Sequence, residues 1–562
     1  MLHRIPSLAS VLLLVGAASL AGQADPALEA DDELFFATVD VNVVNVDVFV
    51  TDKQGNPVTG LGADDFELFE DNRPVQISNF YAVEGGRTDA VPMSSESAGS
   101  EPRPKPTEPQ ALPQDQRLFL IVYVDNYNIR PFNRNRVFRR LREFLHDRLG
   151  AADQVMLVSY DRSLNVRHPF TSRPEVIGRA LYDLEKMTGH AMTQDSARRE
   201  ILQAIDEADD PSRVEWKVRQ FAEEIYNDLS FTIDALRDFV GSVAGLEGRK
   251  AILYVSDGLA MTAAEELFQA VMQKFVSSSV MTRMHDYNAV RQFRELTALA
   301  SSNRVSFYTI DAAGLRTSDI TSAQSRGMET PGLMTLLDST YRHNLQAPLR
   351  MMADETGGLA IVNTNDIGPG LEKMATDFET FYSLGYMPGR TGEGEYRRIR
   401  VELKNDKGLK VRHRAGYRSK SVFSHMADGT NSTLLYGFER NPLAVGLRVG
   451  SGSQHEDGLY LVPIAVDVPI GNLELVPQGD FHVGRIRIYF TAIDQEDRLA
   501  DLQEVPLPIR IPNDEMVRAR EQPYVYSAQL QMRAGSQRMA IGVRDEIGAV
   551  ESFIVKSVHI GS

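Results

Sequence analysis

Residues 39–50 read VDVNVVNVDVFV, an alternation of apolar and polar side chains with period two that a half-buried β-strand explains. The apolar phase passes from odd to even positions at Val43 and Val44, which predicts a bulge or a change of partner sheet there. Turn residues from Asp52 to Gly55 predict a hairpin, and short runs over 66–70 and 75–83 complete a small all-β unit at 36–84. Residues 85–116, rich in Pro, Ser and Glu, read as a linker, because such a composition buries too little apolar surface to offset its ordering entropy.

The texture then changes to unbroken apolar runs: LFLIVYV (118–124), QVMLVSY (154–160), KAILYV (250–255), VSFYTI (305–310) and GLAIV (358–362). Strands apolar on both faces belong in a mostly parallel sheet covered by helices. Helical stripes lie between them, such as Val137, Phe138, Leu141, Phe144 and Leu145, or Ile233, Leu236, Val240 and Val243. Long connections at 189–230, 263–291 and 317–349 predict added helices. This α/β doubly wound, mostly parallel domain spans 117–390. A hairpin around 405–408 forms a β extension at 391–420, expected to pack with the 36–84 unit. Alternating patterns over 430–562 predict an independent, Ig-like β-sandwich, so all-β domains flank the α/β core.

With 562 residues the chain holds several domains, and a formal charge of -17 argues against nucleic acid as the partner. His3 and Arg4, an apolar run over 11–20 and small residues up to Ala24 have the layout of a signal peptide at 1–24. The expected mature protein is periplasmic or secreted, with no transmembrane segment after cleavage. Zero cysteines exclude disulfides and thiolate metal sites.

In an open α/β sheet a site lies beyond the carboxyl ends of the strands. Asp125 follows LFLIVYV there, and Asp257 follows KAILYVS within Ser256-Asp257-Gly258. A buried first strand ending in Asp, a helix, two middle strands and a Gly-Arg-Lys lead into a strand ending Ser-Asp-Gly resemble the von Willebrand factor type A family over about residues 117–389. The flanks, at 55–84 and from SLGYMPG to RHRAGYR, are similar to exported von Willebrand factor-related proteins of acidobacterial type.

The resemblance implies a metal-dependent adhesion site, in which an Asp, two Ser hydroxyls at +2 and +4, a Thr and a second Asp hold Mg²⁺ or Mn²⁺. Asp125 and Asp257 match the acids, which makes them the candidate metal ligands. Tyr127 and Ile129 occupy the +2 and +4 positions, and neither replaces a serine hydroxyl at an octahedral ion. Asn126 and Asn128 bear oxygen but are out of phase, and Thr188 and Thr193 around Gly189 both qualify as the threonine. The expectation is a degenerate site that binds Mg²⁺ or Mn²⁺ weakly or not at all. As a plainer alternative, both aspartates cap helix N-termini and brace loops.

No nucleophile elbow, Walker loop or HExxH motif occurs, so an enzyme is not expected. The arginines at 134, 136, 139, 140 and 142 read as a solvated helix face, the acids at 64, 65, 67, 70 and 71 as the decoration of a strand edge, and Trp216 as a packed residue. The resulting expectation is an exported, non-enzymatic module that binds a protein partner. A structural component of an envelope or secretion assembly is the second reading, and an extracytoplasmic hydrolase the third.

Overall fold

The computed structural model describes residues 43–85, 87–90, 117–148, 153–189, 191–275, 278–316, 331–389, 394–405, 408–455 and 458–561. The expected signal peptide and residues 91–116 of the expected linker lie outside them; the linker expected from residue 85 is corrected at its start, where Arg87–Ala90 is a strand paired antiparallel with Ile77–Glu84. The chain packs as two compact units, one of Asn42–Gly241 with Glu247–Ser419 and one built on Lys420–Ser562.

The larger unit begins with β1 (Val44–Thr51), β2 (Phe66–Glu70), β3 (Arg73–Val75), β4 (Ile77–Glu84) and β5 (Arg87–Ala90). These strands do not close a domain by themselves. Sequence-distant strands β12 (Phe381–Tyr386), β13 (Tyr396–Leu403), β14 (Lys410–His413) and β15 (Gly416–Arg418) complete two sheets, ordered β14-β1-β12-β4-β5 and β15-β13-β2-β3. A shared core of Val46, Val48, Leu68, Leu384 and Val401 lies between them.

Three expectations are corrected here. FYSLGY, placed in the α/β domain over 117–390, sits between β1 and β4, because a run buried on both faces suits the centre of either kind of sheet. The segments expected to form a hairpin around 405–408 belong to opposite sheets, β13 beside β2 and β14 beside β1. Glu70 decorates no edge: it is 7% exposed and accepts hydrogen bonds from Tyr386 (2.7 Å), Tyr417 (3.0 Å) and Arg397 (2.9 Å).

Between β5 and β12 runs a mixed α/β layer. It comprises β6 (Leu118–Asp125), α1 (Pro131–Arg148), β7 (Gln154–Tyr160), β8 (Leu164–Thr171), α2 (Pro174–Glu185), α3 (Ala191–Glu207), α4 (Ser212–Ser242) and β9 (Arg249–Ser256). Then follow α5 (Glu265–Phe275), α6 (Ser278–His285), α7 (Val290–Ser302), β10 (Val305–Asp311), α8 (Pro331–Thr356), β11 (Ala360–Ile361) and α9 (Gly368–Glu379). The sheet order is β11-β10-β9-β6-β7-β8, parallel except for β8 at one edge. Strand order reverses between β6 and β9, the position at which an open sheet leaves a crevice.

Helices α1, α2 and α9 cover one face through Phe138, Leu141, Ile177, Leu181 and Leu371. On the other face Phe239 of α4 meets Tyr123 edge-on, with ring centroids 5.7 Å apart. The insert helices have a core of their own, in which Leu202, Val214, Val218, Leu267, Val271 and Leu337 join α3, α4, α5 and α8. Trp216 is not part of it. The buried stripe of α4 runs through Val214, Val218 and Ala222, and Trp216, off that stripe, is 56% exposed.

The smaller unit is a β-sandwich with one core shared by two sheets. Val462, Ile464 and Val466 come from one, and Ile486, Ile488 and Val543 from the other. A helix, α10 (Val422–Tyr436), covers its outer side by packing Met426 against Tyr489 and Phe553. The expected boundary at Thr430 therefore falls inside a helix whose N-cap is Ser421.

Candidate functional site

The reversal in strand order places Asp125 and Asp257 at the ends of two neighbouring strands, since β6 and β9 pair side by side up to Val124 and Val255. Asp125 is fully buried. Its carboxylate accepts hydrogen bonds from the Asn128 amide (3.1 Å), Asn128 Nδ2 (2.9 Å) and the Tyr254 hydroxyl, with Ser256 Oγ at 3.5 Å. Burial raises its pKa against the opposing pull of those donors. With both oxygens occupied from inside the chain, the carboxylate's work is to shape the loop after β6.

Asn128 is the hub of that loop. Besides its two bonds to Asp125, its carbonyl accepts from the Asp257 amide (3.0 Å) and Ser256 Oγ (3.2 Å), which ties the β6 and β9 loops together. Asp257 accepts from the Arg130 amide (3.0 Å) and from Asn133 Nδ2 at 3.0 and 2.9 Å. It thus sits at the start of α1, where a helix favours negative charge. Burial pushes its carboxyl up to about 6, against the Arg130 amide, Asn133 and the nearby charges of Arg316 and Arg130.

The +2 and +4 side chains do other work. Ile129 is fully buried in the sheet core beside Leu120, Val122 and Phe138. The Tyr127 hydroxyl donates to Asp228 of α4 and accepts from Arg162 Nη2 (2.7 Å), while the Arg162 guanidinium lies 5.0 Å from the Tyr127 ring centroid. Burial pushes the Tyr127 phenol up to about 12, and the hydrogen bond to Asp228 adds to it.

Asn126 and Arg134 form a second brace. Asn126 Nδ2 donates to the Thr188 carbonyl (2.9 Å), while its Oδ1 accepts from Arg134 Nη1. Arg134 Nη2 reaches the carbonyls of Glu185 (2.8 Å) and Met187 (2.9 Å). Arg134 is fully buried, which corrects its reading as part of a solvated face. A Cβ on Gly189 would stand 2.6 Å from the Ile129 carbonyl oxygen, so only glycine allows these loops to approach. Thr188 is exposed on this loop, and the side chain of Thr193 lies outside the described residues.

Sequence reasoning missed a third strand-end acid. Asp311 closes β10 as Asp125 closes β6, is 1% exposed, and accepts from Gln346 Nε2 (2.8 Å) and the Ala313 amide (3.1 Å). Arg316 pairs with Asp311 at 3.5 Å and also donates to the Asp257 carbonyl. The repeated grammar of an apolar strand followed by Asp was the available signal.

Insert helices and strand ends together line a small cleft with about 80 Å³ of room for water-sized groups, including Arg130, Asp195, Asp228, Asp257, Arg316 and Tyr341. Arg130 Nε donates to Asp195 of α3 at 2.9 Å, a link from the β6 loop to the insert. Among the described residues no group of three or more His, Asp or Glu side chains is placed to hold a metal ion. Nor is any described helix long and apolar enough to cross a membrane.

No family model matches the chain, and no curated protein does. Solved structures similar to it include the conserved hypothetical protein BatB from Bacteroides thetaiotaomicron, at 10% identity and TM-score 0.23, covering 47% of this chain and 96% of that one. An aerotolerance-related membrane protein from Bacteroides fragilis is matched at 10% identity and TM-score 0.21, over 47% and 98%. Proximal thread matrix protein 1 of the mussel byssus is matched at 12% identity and TM-score 0.23, over 47% and 48%.

Proposed function

We propose that this chain is an exported von Willebrand factor type A-like protein whose α/β domain binds a partner protein, without catalysis and without a metal ion mediating the contact. One observation carries the reading: at the strand ends the carboxylates are turned inward and apolar side chains outward. Asp125 and Asp311 are spent on the chain's own donors, whereas Phe132 at the start of α1 is 79% exposed and Leu315 after β10 is 62% exposed. Exposed aromatic and aliphatic side chains beside a rigid scaffold are what a protein interface uses as anchors.

The test is capture from native envelope extract on immobilised mature protein, with two variants alongside. Phe132→Ser with Leu315→Ser should lower recovery of specific partners at least about tenfold, the loss expected when an anchor worth about 1.4 kcal/mol or more is removed. Val517→Ser alters a residue of the smaller unit that is 81% exposed and should change nothing. Capture that follows Val517 and ignores the strand-end pair would overturn the proposal in favour of an assembly component contacted through its β domains.

A further inference from the structure

The exposed pair does not stand alone on α1. One turn beyond Phe132, Arg136 donates to the Ala312 carbonyl at 2.6 Å and to Asn365 Oδ1 at 3.3 Å. Asn365 Oδ1 also accepts from the Leu315 amide at 3.0 Å, so one side chain holds both the guanidinium and the loop that carries Leu315. Gly314 makes this arrangement possible. At φ +66 a Cβ there would lie 2.5 Å from Asn365 Oδ1 and 2.8 Å from Arg136 Nη2.

Arg136, Arg139 and Arg140 line an open groove with Val137, Asn365 and Ile367. The carboxylates beside it are Glu143, 3.0 Å from Arg140, and Asp366, 3.8 Å from the same residue. Among the described residues no ion pair engages Arg136 or Arg139. In a chain of formal charge -17 these are cations left uncompensated on one side of one helix. An arginine held by carbonyl oxygens keeps its remaining N–H groups aimed in fixed directions, which suits the planar fork of a carboxylate.

We infer that this groove docks an acidic peptide segment of a partner protein, with its carboxylates on Arg136 and Arg139 and an adjoining aromatic or aliphatic side chain against Phe132 and Leu315. The inference rests on the binding reading above and specifies the partner's chemistry. Charge complementarity selects an acidic occupant, and the apolar pair at the same rim favours a peptide over a small anion.

A phage-displayed random dodecamer library, selected on the wild-type protein, tests it. Enriched peptides should be strongly acidic with at least one aromatic or large aliphatic residue. Synthetic copies should bind about tenfold more weakly for each of Arg136→Gln and Arg139→Gln, the loss expected for a charged hydrogen bond, and binding should weaken with added salt. Thermal melts of both variants matching wild type show that the fold is intact. If Arg136→Gln disturbs the loop, Arg139→Gln decides alone, because among the described residues no hydrogen bond or ion pair is made by its side chain. Enriched peptides that are neutral or basic, or equal binding to Arg139→Gln, would overturn the inference. Inorganic pyrophosphate displacing the peptides and binding more tightly than any of them would assign the groove to phosphate and overturn it too. Failure here with Phe132-dependent capture intact leaves the binding reading standing, whereas loss of that dependence removes both.

Discussion

Rebuilding the serine pattern of an adhesion site in this chain should destabilise it without giving it a metal. The perturbation is Ile129→Ser, alone and with Tyr127→Ser. Ile129 is fully buried among the side chains that cover the sheet. Truncating such an isoleucine to alanine costs about 2–5 kcal/mol through lost burial and the cavity left behind. A serine hydroxyl without a partner adds about 1–3 kcal/mol. The single variant should therefore lose about 3–8 kcal/mol, a large part of the 5–15 kcal/mol typical of a domain. Tyr127→Ser then cuts the link to Asp228 and Arg162.

Trp216, the only tryptophan in the chain, lies on α4 in the same unit, so its fluorescence in a urea titration reports the relevant unfolding. Calorimetric titration of the wild type with Mg²⁺ or Mn²⁺ should show no saturable binding below about 100 μM, and the double variant should behave likewise, because Asp125 keeps its donors. A site of that affinity would return about 2.7 kcal/mol at a hundredfold excess of metal, or 10 mM. Recovery of that size, or a loss below about 1 kcal/mol in Ile129→Ser, would refute the claim that this loop is locked by the core.

Asp257 titrates near 6 in the folded chain against 3.8 as its ordinary value, so the folded state holds the proton more tightly. Its contribution to stability is greatest below pH 3.8 and falls as pH rises through 6, by up to about 3 kcal/mol; Asp257→Asn should flatten that part of a stability-against-pH curve, and an unchanged slope would contradict the assignment. Gly189→Ala drives a methyl into the Ile129 carbonyl and should cost about 1–3 kcal/mol in the same urea titration. A fragment beginning at Lys420 should unfold cooperatively, while one beginning at Phe438 lacks α10, uncovers Tyr489 and Phe553, and should bind the dye ANS or precipitate.

The parallel strands were legible because burial on both faces leaves no polar phase, and LFLIVYV or KAILYV admits few other readings. The same property concealed where FYSLGY belongs. An apolar run states that a strand is central, and not to which sheet, so β12 was assigned by sequence neighbourhood when its partners β1 and β4 lie about 300 residues earlier. Arg134 was legible in principle. It lies three and four positions before Val137 and Phe138, on the buried stripe of α1, while Arg139 and Arg140 fall outside it. Grouping five arginines by type hid a distinction that helical phase makes.

Asn128 shows where pattern matching itself misleads. Counted against serines at +2 and +4 it is out of phase, yet its amide, side chain and carbonyl together fix Asp125, Ser256 and Asp257. A metal ion at such a site would hold two loops together by drawing their oxygens to one charge. In this chain hydrogen bonds from one asparagine hold the same two loops, and the adjoining Ile129 anchors the segment in the core. The two loops are bonded to each other, and Asp125 and Asp257 are paired with donors from within the chain. On the binding reading proposed above, the recognition chemistry comes from the rim, from Phe132, Leu315 and the arginines of α1. If the groove docks an acidic segment as proposed, substitutions at Arg136 and Arg139, and not metal chelation, should control its binding.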